Sequence, residues 1–294
     1  MKQSKYQELY TFLTLYFADE IYKKSDNKIL DMQKDQKKNR DDLISQIAKI
    51  LLSYKIIDST LSLTLGDINK LYTQLENTID NTIKNELKNE LYIMKEILSD
   101  TCLDKYNTNN YIYSLGKNFK LTQVNDKTLD KIINTKIKGE VWSDRLWSNK
   151  NETAKDLKLQ VKQFLKGDIN VNEIEKVIKT KYNANASNTD RLVSTEITRV
   201  QAESNEYWTR DHEIKQQLFL ATLDSRTSNI CRSKDGTVWD IDDSSKPIPP
   251  LHPHCRSVLV NLVNKNWRPK KRYDNQNKQN IDWTTYEEWS KEQS

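Results

Sequence analysis

The stretch LDSRTSNICRSKDGTVW (223–239), followed closely by PPLHPHCRS (249–257), decides how this chain is read. Two of its three cysteines, two of its three histidines and four of its five prolines fall between Cys231 and Cys255. The flanking runs QLFLATLD, TVWDID and RSVLVNLV are apolar and of strand length, and Asp235-Gly236 between the first two is a turn signal. The expectation is a small β-module over residues 216–263.

Outward from that module the pattern becomes helical. Only five Gly and five Pro interrupt 294 residues, so long helices form easily and tight turns are few. Tyr6, Leu9, Leu13, Phe17 and Ile21 recur at helical spacing, as do Leu43, Ile47, Ile50 and Leu51. KKSDNK at 23–28 reads as a break between them. A longer pattern runs through Ile68, Tyr72, Leu75, Ile79, Leu87, Leu91, Met94 and Leu98, and 104–118 reads as a loop. Leu157, Val161, Phe164 and Leu165 share a face that ends at Gly167, and ASNTD at 186–190 offers N-cap residues for a further helix. The fold class expected is α+β, mostly α: a helical region over 1–120, a second over 125–215, the β-module over 216–263, and a polar tail over 264–294. That tail is read either as disordered or as an arm that orders on a partner.

Net charge is +5, a mild lean toward a polyanion. Gln7, Glu8, Asp19 and Glu20 break any secretory apolar run near the start. No stretch approaches the ~18 apolar residues of a membrane span. Three cysteines without scaffold spacing point to a reducing compartment. The expectation is a protein made in a cytoplasm, without a membrane partner.

Cys231, His252, His254 and Cys255 are candidate ligands of a structural Zn²⁺, because thiolate and imidazole suit that ion and a small sheet gains from such a staple. Cys231 lacks a neighbouring pair, and adjacent residues do not easily reach one metal. The natural set is therefore Cys231, His252 and Cys255, with the fourth ligand either missing or supplied by water, Asp235 or His254. The competing reading makes the cysteines buried apolar packing and the histidines caps of a turn stiffened by Pro249, Pro250 and Pro253.

The order L-D-S-R-T-S-x-x-C-R-x-x-D-G, then P-P-L-H-P-H-C-R-S and an apolar strand, resembles the C-terminal signature of the Mu F-like minor head proteins of tailed bacteriophages. RLVSTEITRVQAESNEYW upstream is similar to the helix preceding that signature, with Arg191, Thr195, Glu196 and Arg199 in matching places. VWSDRLW is similar to the family's tryptophan segment, so the resemblance covers about residues 125–262. Many relatives carry C-x-x-C where this chain has Ser228-Asn229-Ile230-Cys231. The resemblance implies that Asp224, Arg226, Thr227, Asp235, Gly236 and Arg256 shape the module, with Asp–Arg pairs locking turns.

It also implies a function. Such a protein is a minor head component of the virion, in the head interior or at the portal vertex. It acts in head morphogenesis and in DNA handling or delivery, without a catalytic residue. Its partners are the portal, the capsid or scaffold and double-stranded DNA. Lys265, Trp267, Arg268, Lys270, Lys271 and Arg272 are the candidate DNA contacts, combining charge with stacking. A solvated tail is the plainer account of that patch. The alternative function is a metal-assisted nuclease or hydrolase built on the Cys231/His252/His254/Cys255 cluster.

Overall fold

A computed structural model describes residues 2–116, 121–262 and 267–293. Its elements, in chain order, are α1 (Lys2–Ser53), β1 (Ile56–Ile57), β2 (Thr60–Leu61), α2 (Leu65–Ser114), α3 (Asp126–Ile133), α4 (Trp142–Lys166) and α5 (Ile174–Asp211). Then come β3 (Gln216–Leu220), α6 (Asn229–Arg232), β4 (Val238–Asp240), β5 (Val258–Leu262), β6 (Lys271–Asp274), β7 (Gln279–Asp282) and α7 (Tyr286–Glu292). The chain is α+β and mostly helical, with its larger sheet near the C-terminus.

Two compact units share the chain. One gathers Asn27–Lys95 and Lys136–Val193. Its core stacks Leu43 and Ile47 of α1, Leu75 and Ile79 of α2, Leu157, Val161 and Phe164 of α4, and Ile178 of α5. The β1–β2 hairpin turns through Asp58 and Ser59, both at positive φ, the combination a two-residue turn of that hand requires. Gly167 ends α4 at φ 86°, a left-handed position that suits Gly. Within this apolar stack lies a buried polar centre. Lys150 Nζ donates to Glu86 (2.9 Å) and Glu90 (2.6 Å), and Gln36 donates to Glu90 (2.7 Å).

The other unit gathers Met1–Asp26, Glu96–Thr135 and Ser194–Ser294. Its sheet has the order β4-β3-β5 with antiparallel pairs, Leu218 facing Val238 on one side and Val260 on the other. Alternation divides the apolar residues between two faces. Leu218, Leu220, Val260 and Leu262 pack with Trp267 and Leu15, whereas Phe219, Ala221 and Leu259 pack with Cys231 and Cys255. Tyr10, Tyr106, Tyr113, Trp208 and Ile214 form a separate aromatic cluster in the same unit. Arg199 of α5 closes the end of α3, donating to the carbonyls of Ile132 (2.6 Å) and Ile133 (2.7 Å) while Glu196 holds its Nε.

Four boundaries differ from the sequence reading. KKSDNK does not break α1: buried Ile21, Ser25, Ile29 and Met32 keep the stripe going, and the charges face solvent. Residues 104–114 are helix because tertiary partners take the asparagine side chains that would otherwise compete with it. Asn109 donates to Asn205, and Asn110 both donates to the Thr122 carbonyl and accepts from Trp208. ASNTD starts no new helix: α5 runs through it, with Asn185 and Thr189 buried and bonded to Thr153 and Gln36. The described part of the tail folds as the antiparallel β6–β7 hairpin and α7, and α7 begins with a capping box of Thr285 and Glu288.

Candidate metal centre

Ser228 caps α6, its hydroxyl accepting from the Cys231 N–H at 3.4 Å, and this sets Cys231 under the sheet. The proline-rich segment returns through a turn in which the Cys255 N–H meets the His252 carbonyl at 3.2 Å. The Cys255 carbonyl is held from two helices, by Thr198 of α5 and by Tyr22 of α1. The two sulfurs lie 3.6 Å apart, and a ring nitrogen of His252 joins them so that all three ligand atoms fall within 4.8 Å of one another. Tetrahedral zinc with ~2.3 Å Zn–S bonds separates two sulfurs by about 3.8 Å. The spacing therefore fits that ion, while it is far from the ~2.05 Å of a disulfide.

His252 Nδ1 lies 2.7 Å from the Pro253 carbonyl, a bond that needs the proton on Nδ1 and leaves Nε2 as the ligand atom. Cys231 and Cys255 are buried and His252 half-buried. The Cys231 thiol, hydrogen-bonded to Cys255, holds the Cys255 pKa below the ordinary thiol value, against the effect of burial; backbone groups of Leu251 and Ser257 help. The same bond, together with burial, pushes Cys231 up. The pair thus favours one negative charge shared between two sulfurs.

Two other residues considered as ligands are placed elsewhere. His254 is exposed, with φ 56°, and its backbone N–H donates to Thr195 Oγ1 at 3.1 Å. Its imidazole is not in the group of converging ligand atoms. Asp235 is fully committed. Its carboxylate accepts from the Ala221 N–H (2.8 Å), the Tyr286 N–H (2.7 Å) and both Nη atoms of Arg272 (2.7 and 2.9 Å).

The other motif residues build the same module. Asp224 accepts from Arg256, from the Thr227 hydroxyl (3.1 Å) and from the Arg226 N–H (3.1 Å). Burial alone would favour its protonated form, yet the bonds from Arg256 and Thr227 outweigh that and hold its pKa below the ordinary carboxylate value. Arg226 itself projects into solvent, 3.5 Å from Asp224, so Arg256 is the main partner. Gly236 sits at φ 74°, a left-handed position, and its N–H reaches the Phe219 carbonyl at 2.9 Å.

The basic patch is split. Arg272 is buried on Asp235 and also donates to the Ala221 and Thr284 carbonyls, so it is not available to a phosphate. Trp267 is largely buried as part of the sheet's core. Arg268, Lys270 and Lys271 are exposed, Lys271 lying 3.2 Å from Asp282. Lys265 lies outside the described residues. Sequence reasoning missed the structural role of Arg272, since KRYD has no apolar alternation to mark its inward positions. It also missed Tyr22, whose role depends on a contact 233 residues away.

A family model described as Phage Mu protein F like protein matches residues 155–260. Over that segment, about a third of the chain, the sequence is similar to the phage Mu protein F-like family. Comparison with curated proteins and with solved structures gives no significant match.

Proposed function

We propose that this protein is a minor head protein of a tailed bacteriophage, located at the portal vertex or in the head interior, acting in head morphogenesis and in DNA handling or delivery. The observation that carries this reading is the family match together with the use its motif residues are put to. Asp224 and Asp235, the acidic members of the signature, are spent on Arg256, Arg272 and backbone N–H groups. A general acid or base needs a carboxylate free to reach substrate, and these two brace the module instead. The reading favours placement and binding over covalent chemistry.

Within it, Cys231, His252 and Cys255 are the residues that would hold a structural Zn²⁺. The donor types and the sulfur spacing fit the ion. When bound, the metal supplies a cross-link between α6 and the turn before β5, under a sheet with a thin core. Exposed Lys270, Lys271 and Arg268 remain the residues proposed to meet DNA.

Quantitative mass spectrometry of empty and DNA-filled heads tests the proposal. A few copies per particle are expected. Absence from both particle types, with normal heads assembled when the gene is deleted, would remove it.

A further inference from the structure

In the unit that holds the metal centre, a groove of about 960 Å³ lies between α1, the sheet and the β6–β7 hairpin. Its apolar surface comes from Phe12, Leu15 and Tyr16 of α1, from Leu220 and Val258 of the sheet, and from Trp267. Phe12 and Tyr16 are each 48% exposed, and their rings stack at 6.3 Å, so two large aromatic side chains one turn apart stand uncovered beside an aliphatic floor. Uncovered apolar surface of this kind, rimmed by polar groups, marks an interaction site.

The charge around the groove is one-sided. Six cationic side chains line it against the carboxylates of Glu8 and Asp19; of these Arg272 is paired with Asp235, Arg256 with Asp224, Lys23 with Asp19 and Lys271 with Asp282, which leaves Lys270 and Lys278. Both carboxylates are already engaged: Glu8 accepts from the backbone N–H groups of Lys270 (3.0 Å) and Lys271 (2.9 Å), and Asp19 pairs with Lys23 at 2.8 Å. Lys270 and Lys278 are exposed, and their ammonium groups have no acidic partner among the described residues. The groove therefore presents an apolar floor and a cationic rim.

We infer that this groove is a docking site for an amphipathic helix of a partner protein, with an apolar face and acidic flanks. A helix is ~10 Å across with a 5.4 Å pitch, so 960 Å³ accommodates about two fully sunk turns, or about four half-sunk. The aliphatic groups of Leu15, Leu220 and Val258 beside the two exposed rings suit leucine-like side chains of a helix face. The head-protein reading assigns no protein-docking site here, but it does place Lys270 and Lys271 against DNA, and the nucleic-acid probe below separates the two occupants.

The test uses the full chain and a fluorescein-labelled helix of about five turns, with Leu at i, i+3, i+4 and i+7 and Glu elsewhere. A Lys-for-Glu version and a labelled oligothymidine serve as the other probes, all read by fluorescence polarisation. Saturable binding of the acidic helix is expected, with at least tenfold weaker binding of the basic one. Phe12→Ala with Tyr16→Ala, and separately Lys270→Glu with Lys278→Glu, are each expected to weaken the acidic helix at least tenfold. All four positions are exposed, and an unchanged circular dichroism spectrum confirms that each variant folds. Equal binding of both helices, or no saturation up to about 1 mM, overturns the inference. So does acidic-helix binding untouched by both double variants. If instead the oligothymidine binds and the variants abolish that binding alone, the groove takes nucleic acid.

Discussion

Lys105 is 4% exposed, and its ammonium makes no ion pair or side-chain hydrogen bond among the described residues. It lines a cavity of about 20 Å³ with Tyr22, Thr198, Gln201 and Asn205, room for about one water-sized group. Burial favours the neutral amine and lowers its pKa from 10.5 to about 8. That gap corresponds to about 3 kcal/mol of stability withheld wherever the group is charged in both states. Below pH 8 the full cost applies. Between pH 8 and 10.5 the unfolded chain binds more protons than the folded one, so stability rises with pH across that window. Lys105→Met removes the charge while keeping most of the volume. The variant is expected to be about 2–3 kcal/mol more stable than the parent at pH 7, with the gap closing as pH approaches 10. Urea unfolding followed by tryptophan fluorescence at pH 7, 8, 9 and 10 measures this, and groups common to both proteins cancel in the difference. A gap that does not change with pH, or a variant less stable than the parent at pH 7, would refute the reasoning and place the ammonium in a favourable bond.

Other outcomes follow from the module. Arg272→Met leaves Asp235 charged and buried, and is expected to cost about 3–5 kcal/mol in urea unfolding, whereas exposed Lys270→Ala changes stability by about 0.5 kcal/mol or less. Similar costs for the two would mean that the Asp235 pair is not the lock described here. Ser228→Cys puts a thiol one turn before Cys231 and is expected to raise Zn²⁺ affinity at least tenfold over the parent, measured by competition with a chromophoric chelator; unchanged affinity would show that this side chain cannot reach the metal. Trp289→Ala empties a site 2% exposed and breaks the 2.9 Å bond to Asp274, so a loss of about 3–5 kcal/mol is expected, and a loss below 1 kcal/mol would count against an ordered tail.

The strands were legible because β3 and β5 alternate between two buried faces and leave a clear apolar run in the sequence. The continuity of α1, α2 and α5 was not, since it depends on partners far along the chain. Asn109, Asn110 and Asn185 look like loop formers until Asn205, Thr122 and Thr153 are seen to take their side chains. Spacing alone favoured Cys231, His252 and Cys255, and that trio is the set of ligand atoms that converges. What spacing could not give was the fate of charged residues. Arg272 and Lys270 are equivalent in a composition count, yet one is a buried brace and the other a surface charge.

That brace has a consequence for the timing of folding. Asp235 emerges during synthesis well before Arg272 and Tyr286, the residues that neutralise and cover it. Until they arrive, the sheet holds a carboxylate with no cation at its side, and Leu223 lacks the aromatic residues that later bury it. A nascent chain extending only to residue 260 contains the whole matched segment and lacks both Arg272 and Tyr286. The recognisable segment thus ends before the residues that neutralise and cover its buried carboxylate.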